Sequence, residues 1–221
     1  MCGRFALSAQ TDMVEKLLPE LYSSSEIKPS YNIAPTQDVS VILDESPKEI
    51  SIARWGLIPF WSKDKSIGSK MINARAETLT EKPSFKQLFN KKRCLIVADG
   101  FFEWKKIDSS KRKFPYFIKM KTGEPFTFAG LWDIWKSHEN NAITSTVIIT
   151  TEPNEIVKPI HDRMPVIILP EEREFWLSDD IDQVSLKKFL KPYPGDAMEA
   201  YEVSLNVNNP AFNDQSIIEP V

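Results

Sequence analysis

Apolar residues recur along this chain in two rhythms, and each predicts a different kind of element. Val14, Leu17 and Leu18 follow Thr11 at helical spacing, so a short helix is expected there, with Thr11 as its N-cap and Pro19 as its stop. Phe85, Leu88 and Phe89 follow Ser84 in the same rhythm and predict a second helix. It should end near Lys91-Lys92-Arg93, where positive charge suits the C-terminal end of the helix dipole. Residues 171–177 open with acids and read as a further helix, and 184–190 as another. Short β-branched and aromatic segments predict strands at 39–43, 49–55, 94–98, 101–104, 116–120, 126–131, 146–150 and 166–169, with turn signals such as Lys121-Thr122-Gly123-Glu124 between them. Residues 29–35, bounded by Pro29 and Pro35, read as extended loop.

Many short strands with few helices, and no alternation of strand and helix, point to an α+β fold. The expectation is one domain over residues 1–221, with an antiparallel, barrel-like core and several flanking helices. A length of 221 residues suits one domain and is short for two, and no repeat or linker suggests a boundary. Composition narrows the class: 42% hydrophobic and 27% charged residues describe a globular chain. No apolar run approaches the roughly 18–20 residues needed to span a bilayer, and Met1-Cys2-Gly3-Arg4-Phe5-Ala6-Leu7 lacks a secretory signal, so a cytoplasmic protein without a membrane partner is expected. Two cysteines, Cys2 and Cys94, give no disulfide framework, and two histidines, His138 and His161, are too few for a His-rich metal site. None of the seven glycines stands in a phosphate-binding arrangement, so no nucleotide cofactor, and no cofactor of any kind, is expected.

Charge changes the picture. The net of −3 argues against a nucleic-acid partner, but residues 1–122 carry 21 Lys and Arg against 14 Asp and Glu, while residues 123–221 carry 7 against 17. Residues 51–121 alone hold 17 basic and 6 acidic side chains. Such asymmetry fits a surface that faces a polyanion, and it fits equally well solvated charge on loops.

Five stretches could carry chemistry. Loss of Met1 would leave Cys2 with a free α-amine beside its thiol. That amine has a reference pKa of about 7.7–8.0 against about 10.4 for lysine, so its unprotonated fraction at neutral pH is larger by about a few hundred-fold. It would attack an aldehyde to give an imine, which the thiol could close into a thiazolidine; a cysteine at position 2 is otherwise incidental. Cys94, in the run Cys94-Leu95-Ile96-Val97-Ala98, reads as core. In Asp99-Gly100-Phe101-Phe102-Glu103-Trp104, alternation puts Phe101 and Glu103 on one face. A carboxyl against an apolar wall would ionise late and could shuttle protons; the alternative is a surface glutamate on an edge strand. His161, between Ile160 and Asp162-Arg163, is a candidate proton carrier or part of a polar turn, whereas His138 reads as a loop residue. Asn73 and Arg75 alternate with apolar neighbours and project to one side, Asn73 suited to orienting a reactive group and Arg75 to a phosphate. Phe60 and Trp61 end the aromatic stretch 53–61 and could stack on bases, or pack in the core.

Together the blocks Met1-Cys2-Gly3-Arg4-Phe5, Tyr31-Asn32-Ile33-Ala34-Pro35-Thr36, Arg54-Trp55-Gly56-Leu57-Ile58-Pro59, Ile72-Asn73-Ala74-Arg75-Ala76-Glu77, Ala98-Asp99-Gly100-Phe101-Phe102-Glu103-Trp104 and Ile160-His161-Asp162-Arg163-Met164-Pro165 resemble, in order, those of the SOS response-associated peptidase family. Members of that family shield abasic sites in single-stranded DNA. The resemblance implies that Met1 is lost and that Cys2 links covalently to the ring-opened sugar. It implies that Asn73 orients, that Glu103 shuttles protons at the amine, and that His161 acts on the sugar hydroxyl. Arg4 and Arg75 are the implied phosphate contacts, Thr150 lines the site, and Phe60 or Trp61 stacks, a looser match in its flanking residues. The implied partner is single-stranded DNA with an abasic site, bound by a monomer without metal or cofactor. Two other readings of the same residues are a cysteine peptidase acting in trans through Cys2, His161 and Glu103, and a non-covalent single-strand binding module.

Overall fold

In the computed structural model the described residues are 2–9, 14, 22–23, 27–106, 112–137 and 139–221. Of the expected first helix only Val14 is described, and it packs in the core; Met1, the remainder of that helix and His138 lie outside the described residues.

Five strands close into a barrel: β4 (Asp38–Leu43), β5 (Ser46–Trp55), β7 (Arg93–Ala98), β10 (Phe126–Lys136) and β11 (Ala142–Thr151). Four of the five seams are antiparallel. The ring shuts through a parallel seam in which Arg54 and Trp55 of β5 lie opposite Ser145 and Thr146 of β11. A five-stranded sheet flanks the barrel in the order β14 (Met198–Glu202), β9 (Lys113–Met120), β8 (Gly100–Lys106), β1 (Phe5–Leu7), β3 (Ser30–Ile33). Two-residue strand β2 (Tyr22–Ser23) pairs with β5, and β6 (Asn73–Arg75) pairs with β11.

Alternation along β1 and β8 decides what each face of the flanking sheet meets. Phe5 and Phe101 turn to the barrel, where Phe5 meets Trp55 edge-on at 5.1 Å between centroids and Phe128 at 5.6 Å. Such contacts are worth about 0.5–1.5 kcal/mol each beyond their burial. Ala6, Phe102 and Phe117 turn the other way and pack under Val203, Val207 and Ile217 of the C-terminal segment. β8 is therefore buried on both sides.

Helix α1 (Pro83–Lys91) and the short helix α2 (Arg173–Leu177) are tied to β7 by Arg93, fully buried, whose guanidinium donates to the carbonyls of Phe89, Trp176 and Ser178. A third helix, α3 (Gln183–Lys187), is started by the Asp182 carboxylate, which accepts from the amides of Val184 and Ser185.

Every expected strand is present, with three differences. Residues 30–33 form β3 rather than loop: the prolines at 29 and 35 stand outside it, leaving four residues free to pair with β1. The expected strand 166–169 is instead two, β12 (Met164–Pro165) on β11 and β13 (Ile167–Ile168) on β10. These two partners are paired to each other only from Gly130 and Ile148 outward. The 164–168 segment fills the opening, with Val166 donating to Ile149 and accepting from Ala129. β14 carried little strand signal in Met198-Glu199-Ala200-Tyr201-Glu202; the edge of β9 recruits it. No helix among the described residues is long and apolar enough to cross a membrane.

Candidate functional site

The site assembles where the two sheets meet. Cys2 leads into β1. The Arg4 carbonyl accepts from the Phe102 amide at 2.9 Å and lies 3.8 Å from the Cys2 thiol, so the start of the chain runs alongside Glu103 of β8. β6 lies parallel on β11, with Asn73 opposite Ile148 and Arg75 opposite Thr150, and from there the Asn73 side-chain amide donates to the Cys2 carbonyl at 2.7 Å. The turn before β12 brings His161 Nε2 to 3.7 Å from a Glu103 carboxylate oxygen. Cys2, Asn73, Glu103 and His161, separated by up to 159 positions in sequence, thus share one corner.

Their ionisation follows from that corner. Glu103 is 2% exposed, which removes the surface-glutamate alternative; burial raises its pKa to about 7, with the positive amino terminus acting against the rise and Asp162 adding to it. The Cys2 thiol is fully buried, and burial, then the Glu103 charge, pushes it well above the usual thiol range. Burial lowers His161, and the positive amino terminus lowers it further. Its Nδ1 lies 3.1 Å from the Arg163 amide and 2.9 Å from the Asp162 carboxylate: the neutral ring accepts from the first, and a protonated ring pairs with the second. With Nδ1 accepting, the neutral ring carries its proton on Nε2, toward Glu103. Asn73 Oδ1 is buried with no hydrogen-bond partner among the described residues. The corner therefore holds a protonated thiol, a carboxyl near half-ionised at neutral pH, a neutral imidazole and an acceptor awaiting a donor.

The remaining expected residues are placed unequally. Arg75 is exposed on β6. Arg4 points inward, its Nη1 donating to Asn32 Oδ1 and the Val207 carbonyl. Thr150 is fully buried, its carbonyl accepting from Arg163 Nη2 at 2.5 Å. Phe60 and Trp61 are 64% and 54% exposed, unlike Trp55, which is core. They sit on a loop fastened to the barrel: Ile58 donates to Ser145 Oγ, Phe60 to Asp133 Oδ2, and the Trp135 indole to the Ser62 carbonyl. The loop leaves β5 through Gly56, at φ 124°, where a Cβ would come within 2.5 Å of the Gly68 carbonyl oxygen. The two aromatics border a cleft of about 490 Å³ shared with the start of α1. Along β11 the loop's anchor, Ser145, is five residues from Thr150, about 16 Å at strand rise.

Three side chains that organise the site carried no assigned role in the sequence. Asp99 Oδ2 accepts from the Ser8 amide and hydroxyl and the Ala9 amide, pinning the far end of β1. Asn32 joins Arg4 to the carbonyls of Asn209 and Phe212. Glu77 pairs with Arg163. Only Glu77 had a signal available: it continues the alternation of Asn73 and Arg75.

A closed barrel meets a flanking sheet at a junction that buries the second residue of the chain beside a carboxyl and an imidazole. The chain belongs to the SOS response associated peptidase (SRAP) family, whose profile matches residues 1–210. It is 48% identical over 227 residues to the abasic site processing protein YoqW of Bacillus subtilis (strain 168), covering 99% of each chain, and 31% identical to the abasic site processing protein HMCES of Pongo abelii, covering all of this chain and 76% of that one. Among solved structures, a protein from Bacteroides thetaiotaomicron superposes with a TM-score of 0.90 at 30% identity, with both chains fully covered.

Proposed function

We propose that this protein processes abasic sites in single-stranded DNA by capturing the lesion covalently on Cys2. The observation that carries the reading is the meeting of Cys2, Asn73, Glu103 and His161 in one corner, with Cys2 and Glu103 buried and Asn73 and His161 half-buried; the relatives named for abasic site processing support the choice of substrate.

Hydrolysis of the Met1–Cys2 bond consumes one water and frees the amine. His161, neutral with its Nε2 proton inward, moves the hydroxyl proton as the closed sugar opens to its aldehyde. The amine attacks the carbonyl carbon, giving a carbinolamine. Glu103, poised near pH 7, accepts a proton from nitrogen and returns one to the departing oxygen, so one water leaves and an imine forms. The Cys2 thiol then adds across the C=N bond: sulfur bonds to carbon, its proton goes to nitrogen, and a five-membered thiazolidine closes. A thiol held protonated by burial suits this order, amine first and sulfur second, and disfavours the trans-acting peptidase reading, which needs a thiolate nucleophile. Asn73 Oδ1 accepts from the incoming hydroxyl or the freed amine. Arg75 and the basic middle of the chain hold the strand through its phosphates, while Phe60 and Trp61 stack on bases roughly 16 Å away along β11. Arg4 acts by fixing the terminus rather than by reaching the strand.

Incubation with a single-stranded oligonucleotide containing one abasic site, followed by denaturing electrophoresis, tests this. A band at the sum of the two masses is expected for the wild type, with only a weak, hydrolysable product for Cys2→Ser. Equal, lasting adducts from both proteins would contradict the thiazolidine.

A further inference from the structure

Glu77 lies in the single turn Ala76–Thr78 that follows β6. Its two carboxylate oxygens accept from both terminal nitrogens of Arg163, at 2.6 and 3.0 Å, a fork-to-fork pair. The two partners differ in surroundings: the Arg163 side chain is 14% exposed and that of Glu77 54%. Arg163 Nη2 also donates to the Thr150 carbonyl, and its Nε is buried with no hydrogen-bond partner among the described residues. Among the described residues, the guanidinium is therefore held at its outer end by Glu77 and Thr150. Its own backbone amide is the donor to His161 Nδ1, and β12 begins at the very next residue. One line of contacts runs from the Glu77 carboxylate through Arg163 to His161 and on to Glu103.

Charge gives the same carboxylate a second effect. Glu77 is held below the usual carboxylate range, first by its hydrogen bonds with Arg163 and, after these, by the charges of Arg163 and Arg75. A carboxylate between two guanidiniums partly cancels the field that a DNA phosphate would meet there, and it competes with that phosphate for Arg163.

We propose that Glu77 is a positioning residue for covalent capture, holding His161 in register through Arg163 while lowering the affinity of the site for the strand. The inference rests on the function proposed above. Its signature is a split: removing the carboxylate tightens binding and slows the reaction, whereas simple loss of structure weakens both. The test uses the full chain with Glu77→Gln and Glu77→Asp. It measures binding to an intact single-stranded oligonucleotide and the single-turnover rate of adduct formation at saturating abasic oligonucleotide, with melting curves to confirm folding. Glu77→Gln is expected to bind about threefold to tenfold more tightly at low salt and to react about tenfold more slowly. Glu77→Asp keeps the charge but is too short to hold both nitrogens, so it should bind as the wild type does and react slowly. It carries the rate measurement should Glu77→Gln fail to fold. Wild-type rates in the folded variants, or weaker binding by Glu77→Gln, would overturn the proposal while leaving the function intact. A wild-type protein that forms no adduct would instead overturn the function and this inference with it.

Discussion

The two cysteines are equally buried and differently furnished. Cys94, on β7, has its sulfur 3.1 Å from the Thr146 hydroxyl, which donates onward to the Leu131 carbonyl, and it fits against Gly130, where a Cβ would stand 2.7 Å from the sulfur. Burial pushes this thiol up to about 12. Among the described residues its side-chain hydrogen-bond partner is the Thr146 hydroxyl, which neither takes nor gives a proton near neutrality. Cys2 is just as enclosed, but its neighbours are a carboxyl raised to about 7, a depressed imidazole and an amide oxygen with no donor among the described residues. Burial alone makes a thiol inert; what separates the two corners is the proton traffic available around the sulfur.

The comparison breaks most completely if the cysteines prove interchangeable. Cys2→Ala should abolish the lasting adduct on denaturing gels, leaving at most a weak, hydrolysable imine, while Cys94→Ala should form it at the wild-type rate and lose about 1–2 kcal/mol of unfolding free energy through the small cavity left. Arg93→Ala enlarges the structural side of the contrast. It orphans the carbonyls of Phe89, Trp176 and Ser178, so chemical denaturation should show a loss of about 3–5 kcal/mol, with no change in capture rate per folded molecule.

Glu103→Gln sharpens the chemical side. A base with a pKa near 7 accepts protons only when ionised, so the wild-type rate should climb as pH rises from 6 to 8. The glutamine variant should run about a hundredfold slower and keep only the part of that climb due to the amine itself. The smallest effect falls outside both corners. Arg75→Ala, on an exposed strand, should leave the rate at saturation nearly unchanged. Binding titrations at several salt concentrations should show weaker association, with a salt slope shallower by about 0.7 for each phosphate the variant no longer neutralises.

Much of this contrast was legible in sequence. The aromatic rhythm of residues 101–104 put Phe101 and Glu103 on one face, and the apolar run around Cys94 marked it as core. What alternation could not say is whether the Glu103 face meets water. That depends on the barrel, and the other face of β8 is sealed by Val203, Val207 and Ile217, a hundred residues downstream. The parallel closure of β5 on β11 joins segments some ninety residues apart and leaves no local signal. The family resemblance alone implies Arg4 as a phosphate contact; the folded chain sets its Nη1 against Asn32 Oδ1 and the Val207 carbonyl, partners that no local pattern announces. Phe60 and Trp61 could not be told from core aromatics until Asp133 and Trp135 were seen holding their loop outward.

The central claim is tested most directly by the intact mass of the product formed with an oligonucleotide bearing one abasic site. The account predicts the chain without Met1 plus the oligonucleotide less one water, stable through denaturation, with fragmentation placing the link on Cys2. A chain that keeps Met1 and gains no mass, or a link that maps to a lysine, would contradict it.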